Sequence, residues 1–331
     1  MSLGTNTYII GQQNPYTLID VGEGRSEYIP VLEKALRETA RPMNSNEPDV
    51  SDIILSHRHH DHIGGLPSVL ALLRRLWDDR NSTTPFKPPR LHKFPLPPNT
   101  HDEKLHSVLD SLLPGSFTPN QDGSPFHNLH DSQIFSPAAP ALDGSLSSME
   151  VLHTPGHTFD SVCLYLHADH ALFTADTILG QGTAVFEDLT AYFASLHKMI
   201  GYHRAQYDLA PGATQIKLLY PGHGPVVTDG IEVINTYIRH RLEREAQIIQ
   251  VLKSPPTERP QEGQTSLSTA ELDAWTTWSI VSNIYAGYPV SLWLPAARSV
   301  TLHLCKLEDD GLVRRLDGEG VNMKWELVST S

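Results

Sequence analysis

Apolar and polar positions alternate along the first 80 residues in a way that predicts strands and helices in turn. The segments NTYIIG and YTLIDVG predict two short strands joined by the polar turn GQQNP. A helix is expected at about residues 26–40, where Ile29, Leu32 and Leu36 recur at helical spacing. DVSDIILSH then predicts a third strand and LPSVLALLRRLWDD a second helix. Strands and helices in alternation are typical of a layered α/β domain.

Residues 79–148 break this pattern because they are rich in Pro, Ser, Asn and Asp. We expect loops there, around one or two short elements such as HDEKLHSVLDSLL. Long loops are more often variable surface than functional parts. A surface insertion is therefore favoured over a lid that closes on a substrate.

The pattern returns in SSMEVLHTPGHT, SVCLYLHADHALFTADT and KLLYPGHGPVV, each of which begins as a predicted strand and ends in polar residues. LTAYFASLHKMI predicts a helix, and a charged helix follows at about residues 231–252. The Pro-rich segment 253–268 predicts a linker between a large domain, residues 1–252, and a small α+β domain, residues 269–331. The small domain is expected to end in a hairpin with DGEG at its turn.

Composition disfavours nucleic-acid-binding, membrane and disulfide-rich classes of protein. The net charge of −13 argues against bulk electrostatic attraction to nucleic acid or to an anionic membrane. The two cysteines, Cys163 and Cys305, lie in apolar runs, which makes a disulfide scaffold unfavourable and indicates a reducing compartment. No secretory signal is visible, and no apolar run approaches the roughly 20 residues that span a bilayer. We therefore expect a soluble cytoplasmic protein without a membrane partner.

The stretch SHRHHDHIGG concentrates imidazole and carboxylate, the ligands of zinc and related divalent ions. His57 and His59 are two positions apart in an extended segment, so their side chains point the same way and can share one metal ion. Asp61 and His62 lie just beyond the strand end, where a turn can direct them toward a second ion. The sequence therefore predicts ligands for two metals in this stretch.

Three further polar residues each follow a predicted strand: His157 in TPGHT, Asp176 in FTADT and His223 in YPGHG. Strand ends at one edge of a sheet converge, which is where open α/β sheets place their sites. A two-metal site needs about three side chains per ion and a bridging carboxylate. In the predicted arrangement, the first ion is held by His57, His59 and His157. The second ion is held by Asp61, His62 and His223. The carboxylate of Asp176 lies between the two ions.

Four nearby residues receive weaker predictions. Asp20, in LIDVG, either holds a ligand histidine in place or is only a turn aspartate. Arg58 alternates away from His57 and His59, so we expect it to be solvated or ion-paired and not part of the site. His60 and His153 are expected to be exposed or packed.

The motifs HRHHDH, TPGHT, TADT and YPGHG, in this order, resemble the ligand motifs of the metallo-β-lactamase superfamily. The resemblance implies an αββα sandwich with a two-metal site at the edge of its sheets. Zinc is the expected metal, and manganese also fits. GTNTYIIG, ILGQGTAVFEDLTAYFASL and YIRHRLEREAQI resemble the lactamase-β-like protein 2 branch. LHLCKLEDDGLV…KWEL is similar to the small winged-helix-like tail of that branch.

Two metal ions that share a water molecule lower its pKa, so that hydroxide is available near neutral pH. The same ions stabilise negative charge that develops on a substrate oxygen. Asp61 and Asp176, which are metal ligands in this arrangement, would orient the hydroxide more than act as free bases. This chemistry favours hydrolysis over redox or group transfer.

The resemblance leaves two substrates open. The branch includes fungal stand-alone thioesterases, which release aromatic polyketides from the acyl carrier domain of a non-reducing polyketide synthase. It also includes animal endoribonucleases that act on single-stranded RNA. A thiolate leaves with little acid assistance, whereas an alkoxide profits from a proton donor, and the sequence identifies no such donor. We predict a thioesterase whose partners are an acyl carrier domain and its small-molecule acyl group.

The endoribonuclease remains the alternative, with nucleic acid as the partner. From Glu232 onward the chain has 10 Lys and Arg against 13 Asp and Glu, which gives −3 and favours a packing role for the tail. Five charged residues of the helix before the linker are expected to form a solvated, paired face: Arg239, Arg241, Glu243, Arg244 and Glu245. Hydrolysis of a glutathione thioester would need a basic site that the sequence does not show. A binding module with a structural metal is disfavoured, because structural zinc sites are usually closed and mononuclear.

Overall fold

The computed structural model describes residues 4–39, 44–136, 148–209, 216–256 and 274–328. It divides into two compact units, residues 1–187 with 191–234, and residues 188–190 with 235–331. Across the described ranges, the helices are too short or too polar to cross a membrane. The two units are described in turn.

The first unit contains two five-stranded sheets. The first sheet has the order β1-β2-β3-β4-β5, with β1 antiparallel to β2 and the other pairs parallel. Its strands are β1 (Tyr8–Ile10), β2 (Tyr16–Ile19), β3 (Val50–Leu55), β4 (Arg90–Lys93) and β5 (Phe126–Asn128). Its helices are α1 (Tyr28–Lys34, continued by the π-helical turn Ala35–Thr39), α2 (His60–Ile63), α3 (Leu66–Arg80) and α4 (Glu103–Asp110).

The second sheet has the order β10-β9-β8-β7-β6, with β10 parallel to β9 and the other pairs antiparallel. Its strands are β6 (Ile134–Phe135), β7 (Met149–His153), β8 (Val162–Leu166), β9 (Ala171–Ala175) and β10 (Leu218–Pro221). α5 (Leu189–Leu209) lies against this sheet, since the Tyr202 hydroxyl donates to Glu150 at 2.7 Å. α6 (Gly230–Leu252) begins in the first unit.

In residues 79–148 the sequence predicts loops around one or two short elements, and the described residues form four short elements. β4 and β5 extend the first sheet, β6 joins the second sheet, and α4 is the one element that the sequence named. Hydrophobic periodicity missed β4 because two of its four residues, His92 and Lys93, are polar and yet buried. Residues 137–147 lie outside the described residues.

Alternation of side chains along the strands builds two apolar layers. Leu18, Ile53 and Leu55 face α1 and α3 in one buried cluster. Ile19 and Ile54 point the opposite way and meet Val151 and Leu164 of the second sheet in another cluster. The two sheets therefore lie face to face between helices, which is the predicted αββα order.

The second unit contains most of α6, α7 (Thr277–Ile284) and α8 (Trp293–Asp309). It also has a three-stranded sheet of order β11-β13-β12, formed by β11 (Trp275–Thr276), β12 (Val313–Arg315) and β13 (Lys324–Leu327). β12 and β13 are antiparallel, which confirms the predicted hairpin. Its core includes Ile248, Val300 and Trp325.

Two features of the second unit differ from the sequence picture. The unit takes in α6 from Asn235 onward, and Ile248 and Leu252 of this helix pack into its core, whereas the sequence places the end of the large domain after residue 252. The expected solvated face of this helix is wrong for Glu245, which is buried and lies 3.2 Å from Lys306. Of the predicted linker, residues 257–268 lie outside the described residues, so the linker stays a prediction.

Candidate metal centre

Three histidine nitrogens meet beyond the ends of β3 and β7. His57 is fully buried and follows Ser56, the residue after β3, and His59 is the residue before α2. Nε2 of His157 lies 3.2 Å from Nε2 of His57 and 2.9 Å from Nδ1 of His59. All three nitrogens lie within 4.8 Å of one another, which is close enough to share one ion.

A second group forms next to the first. Asp61 and His62 project from the short helix α2, and His223 follows β10. Oδ2 of Asp61 lies 3.1 Å from Nε2 of His223 and 3.5 Å from Nε2 of His62. The three ligand atoms can hold one ion together.

Asp176 connects the two groups. Its Oδ2 lies 3.3 Å from Nε2 of His223 and 3.7 Å from Nε2 of His157, and its Oδ1 lies 3.3 Å from Nε2 of His62. Ala175, the preceding residue, has a φ of 44°, a left-handed conformation that side chains rarely adopt. Such strain concentrates at functional sites, where the surrounding structure imposes it. The structure thus brings all seven predicted ligand residues together; their role as ligands stays a prediction.

The donor set fits divalent metal ions. Nε2 of His62 and Oδ1 of Asp176 are buried, and among the described residues neither has a hydrogen bond of good geometry. Buried polar atoms without partners are costly, and an ion would satisfy both. Gly222 leaves the necessary room, since a Cβ there would lie 2.2 Å from Oδ1 of Asp176. Imidazole with carboxylate suits zinc and also other first-row metals.

The pKa values of histidines are shifted in opposite directions in the two groups. Burial, together with the neighbouring charges of His62 and His157, holds the pKa of His57 well below its usual value, so its nitrogen is available as a ligand. Burial alone would lower the pKa of His62, but Asp20 and Asp176 raise it to about 10. Hydrogen bonds to Asp176 and Asp61 raise the pKa of His223 to about 10. A cation that binds the second group must therefore displace protons.

Supporting residues orient the ligands. His62 Nδ1 donates to Oδ2 of Asp20 at 2.8 Å, so the structure favours the first of the two roles that the sequence left open for Asp20. The backbone N–H and the hydroxyl of Ser56 both donate to the same carboxylate at 2.8 Å. His157 Nδ1 donates to the carbonyl of Val185 at 2.8 Å.

The N-terminal segment supports the second group, which the sequence did not predict. The hydroxyl of Thr5 donates to Oδ2 of Asp61 at 3.1 Å, and Nδ1 of His223 lies 3.2 Å from the carbonyl of Gly4. The Asn6 side-chain amide donates to the carbonyls of Pro221 and Gly224, which flank His223. In the sequence GTNTY is visible only as a branch motif, because contacts this distant in sequence leave no local pattern.

The ligands open into a cleft of about 950 Å³, lined partly by His59, Asp61 and His223. Arg58 lines the cleft beside the ligands, and its exclusion from the ligand set stays a prediction. Its expected ion pairing is confirmed, with Asp102 and Glu187 each at 2.6 Å. The remaining lining residues include four acids and two more cations: Glu23, Glu27, Asp102, Glu103, Arg25 and Lys104. His60 also lines the cleft, whereas His153 stacks on Phe94 with ring centroids 3.7 Å apart.

Comparison with known proteins identifies the fold family. The sequence profile described as "Metallo-beta-lactamase superfamily" matches residues 2–74 and 91–229. The chain belongs to the metallo-beta-lactamase superfamily. A second profile, "Beta-lactamase associated winged helix domain", matches residues 276–325. The predicted sandwich with a winged-helix tail is therefore confirmed.

Relatives within this superfamily span most of the chain. A "Beta-lactamase-like protein 2 homolog" from Caenorhabditis elegans is 32% identical over 97% of this chain and 84% of its own length. The Drosophila melanogaster protein of the same description is 32% identical over 94% of this chain and 84% of its length. An "Atrochrysone carboxyl ACP thioesterase" from Aspergillus novofumigatus is 30% identical over 76% of this chain and 58% of its length. The predicted branch and the fungal resemblance are confirmed.

Solved structures show the same fold. A metallo-beta-lactamase family protein from Thermus thermophilus has a TM-score of 0.56 and 18% identity, covering 98% of this chain and 94% of its own. A beta-lactamase domain protein from Burkholderia ambifaria has a TM-score of 0.60 and 14% identity, covering 98% of this chain and 87% of its own. Metallo-beta-lactamase superfamily proteins are generally hydrolases and typically bind divalent metals.

Proposed function

We propose that this chain is a metal-dependent thioesterase that releases an aromatic acyl chain from the acyl carrier domain of a polyketide synthase. The observation that carries the proposal is the cleft. Candidate metal ligands line it, and the arginines that line it already form ion pairs. Arg25 pairs with Glu23 at 2.6 Å, and Arg58 pairs with Asp102 and Glu187. A thioester is uncharged, so it suits such a cleft better than a polyanion does.

The seven predicted ligands are the residues that would hold two divalent ions, zinc or manganese. Such ions, when bound, supply Lewis-acid activation of water and stabilise negative charge on the substrate oxygen. The chain's own residues keep this arrangement fixed before the substrate arrives. Asp20 orients His62, and Thr5 orients Asp61. The remaining requirement, a proton for the leaving group, is small for a thiolate, which agrees with a site built from ligands.

The names of the fungal relatives support the choice of a thioester. The nucleic-acid alternative receives less support from the hairpin of the second unit. Arg315 pairs with Glu308 at 2.6 Å, and Arg314 pairs with Glu326. Phosphate contacts need cations, and here the tight basic pair is engaged by carboxylates of the same unit.

A paired hydrolysis assay tests the proposal. Metal-loaded protein is given either an aromatic acyl chain tethered to an acyl carrier protein or a labelled single-stranded RNA. We expect acyl release that falls at least about 100-fold in Asp61→Asn, because that substitution removes a charged ligand. RNA should stay intact in both samples.

Asp78→Asn serves as the matched control, since Asp78 is an exposed carboxylate that pairs with Arg74 on the surface of α3. It should retain full acyl release. RNA cleavage that depends on Asp61, without acyl release, would refute the thioesterase and establish the endoribonuclease instead.

A further inference from the structure

Arg58 sits in the middle of the ligand motif but points away from the ligands. Its guanidinium reaches Oδ2 of Asp102 and Oε1 of Glu187, each at 2.6 Å, and its Nε lies 3.8 Å from Oδ1 of Asp160. The Arg58 side chain is 22% exposed, Asp102 is 11% exposed and Asp160 is fully buried. The contacts of Arg58 with Asp102 and Asp160 are therefore better shielded from solvent than ordinary surface pairs.

Each of these carboxylates belongs to a different segment around the cleft. Asp102 caps α4, since its Oδ1 accepts from the backbone N–H of Leu105 at 2.9 Å. The backbone N–H of Glu187 donates to the carbonyl of Gly156, next to His157, at 2.7 Å. Asp160 pairs with the buried Lys93 at the end of β4. Arg58 therefore links three separate segments to the ligand motif.

The segment that Arg58 holds most directly is one wall of the cleft. Residues 101–104 all line the cleft, and they precede or begin α4. The rest of α4 is fastened differently, because Leu105 and Val108 are buried in the apolar cluster of the first sheet. α4 also packs against α2 of the motif, and the ion pair between Asp102 and Arg58 adds a charged link at the cleft-facing end of the helix.

We propose that Arg58 is a positioning residue that fixes this wall and thereby determines which acyl groups fit in the cleft. The inference rests on the proposed thioesterase function for the substrate class, but the positioning itself can be measured without a substrate. Arg58 acts through Asp102, so removal of either charge should release the same segment.

Two variants separate this role from a general structural one. Arg58→Gln removes the cation, while Asp102→Asn removes the anion and keeps an oxygen that can still cap α4. Arg74→Gln is the matched control, because Arg74 forms an exposed pair with Asp78 at 2.8 Å on α3. We expect amide hydrogen exchange over residues 102–106 to quicken at least about 10-fold in both variants and to stay unchanged in the control.

Substrate selectivity supplies the second measurement. With benzoyl and acetyl thioesters of N-acetylcysteamine, KM for the benzoyl ester should rise about 10-fold in both variants, and kcat should fall less than about 3-fold. Metal content should equal that of the wild type, since His157 is held by Val185 and not by the Glu187 side chain.

Unchanged exchange over residues 102–106 would overturn the positioning role. Faster exchange with an unaltered preference between the two esters would overturn the selectivity role. Metal loss in Arg58→Gln but not in Asp102→Asn would also overturn it, by placing the effect at the ligand histidines and not at the cleft wall. If the wild type hydrolyses neither ester while exchange quickens as expected, the positioning role stands and the selectivity role falls. The proposed function is decided separately, by the assay with acyl carrier protein.

Discussion

Oδ2 of Asp20 accepts a hydrogen bond from Nδ1 of His62 at 2.8 Å, which leaves Nε2 of the same ring facing Asp61 and Asp176. Asp20→Asn should weaken metal binding about 10- to 100-fold, because the amide N–H₂ would oppose Nδ1 and favour the tautomer with its proton on Nε2. Asn also tolerates the φ of 57° at this position. Competition with a chromogenic chelator measures the affinity.

Asp79→Asn is the control for Asp20→Asn, since Asp79 is half exposed and pairs with Arg37. It should bind metal as the wild type does. Equal affinity in Asp20→Asn and the control would mean that Asp20 does not orient His62.

Gly222→Ala should remove at least one of the two ions. The added Cβ would lie 2.2 Å from Oδ1 of Asp176 and 2.8 Å from Cε1 of His62, so a ligand must move. Inductively coupled plasma mass spectrometry of the purified protein gives the metal content. Gly201→Ala is the matched control, because nothing lies within 4 Å of its Cβ position and it should change no metal content. Full metal content in Gly222→Ala would contradict the close approach.

Asp52 makes the stability of the first sheet depend on pH. Burial alone would raise its pKa, but hydrogen bonds from His92 and Arg90 lower it to about 2. A carboxylate with a lowered pKa stabilises the fold above its unfolded value, near 4, and loses that contribution as the pH falls toward 2. Asp52→Asn should therefore cost about 2 kcal/mol of unfolding free energy at pH 7.

Urea unfolding at pH 7, 4 and 3 tests this dependence. The difference between wild type and Asp52→Asn should be largest at pH 7 and shrink below pH 4. A difference that stays constant from pH 7 to pH 3 would show that the charge of Asp52 is not responsible.

Divalent ions should stabilise the protein against heat. An ion that binds only the folded state adds about 2.7 kcal/mol at a free concentration of 100 Kd. Thermal unfolding with zinc, with manganese and with a chelator measures the gain, which should be reduced in His223→Ala. Asp79→Asn should keep the full gain, and a Tm independent of metal would argue against the predicted ions.

The candidate ligand residues could be predicted from the sequence, because each follows a predicted strand and strand ends meet at one edge of a sheet. His57 and His59 show this through their spacing alone. Asp20 is a candidate for the same reason, although only the contact with His62 decides between its two roles.

The ion pairs that hold the cleft wall could not be predicted from the sequence in this way. Arg58 meets Asp102 and Glu187 across 44 and 129 positions, and no local period records such pairs. Periodicity does not reveal β4, because its buried polar residues His92 and Lys93 pair with Asp52 and Asp160, which belong to another strand and to a loop. Polar residues that are buried by long-range pairing look like loop residues in the sequence.

The site is assembled from both sheets, and its parts are made at different times. His57 and His59 precede the second sheet in the chain, so their group can form only after His157 has been synthesised. The other group needs His223, which follows the last strand of that sheet. Neither group is therefore contained in one continuous stretch of the chain, and a fragment that ends before β10 would lack a residue of the second group.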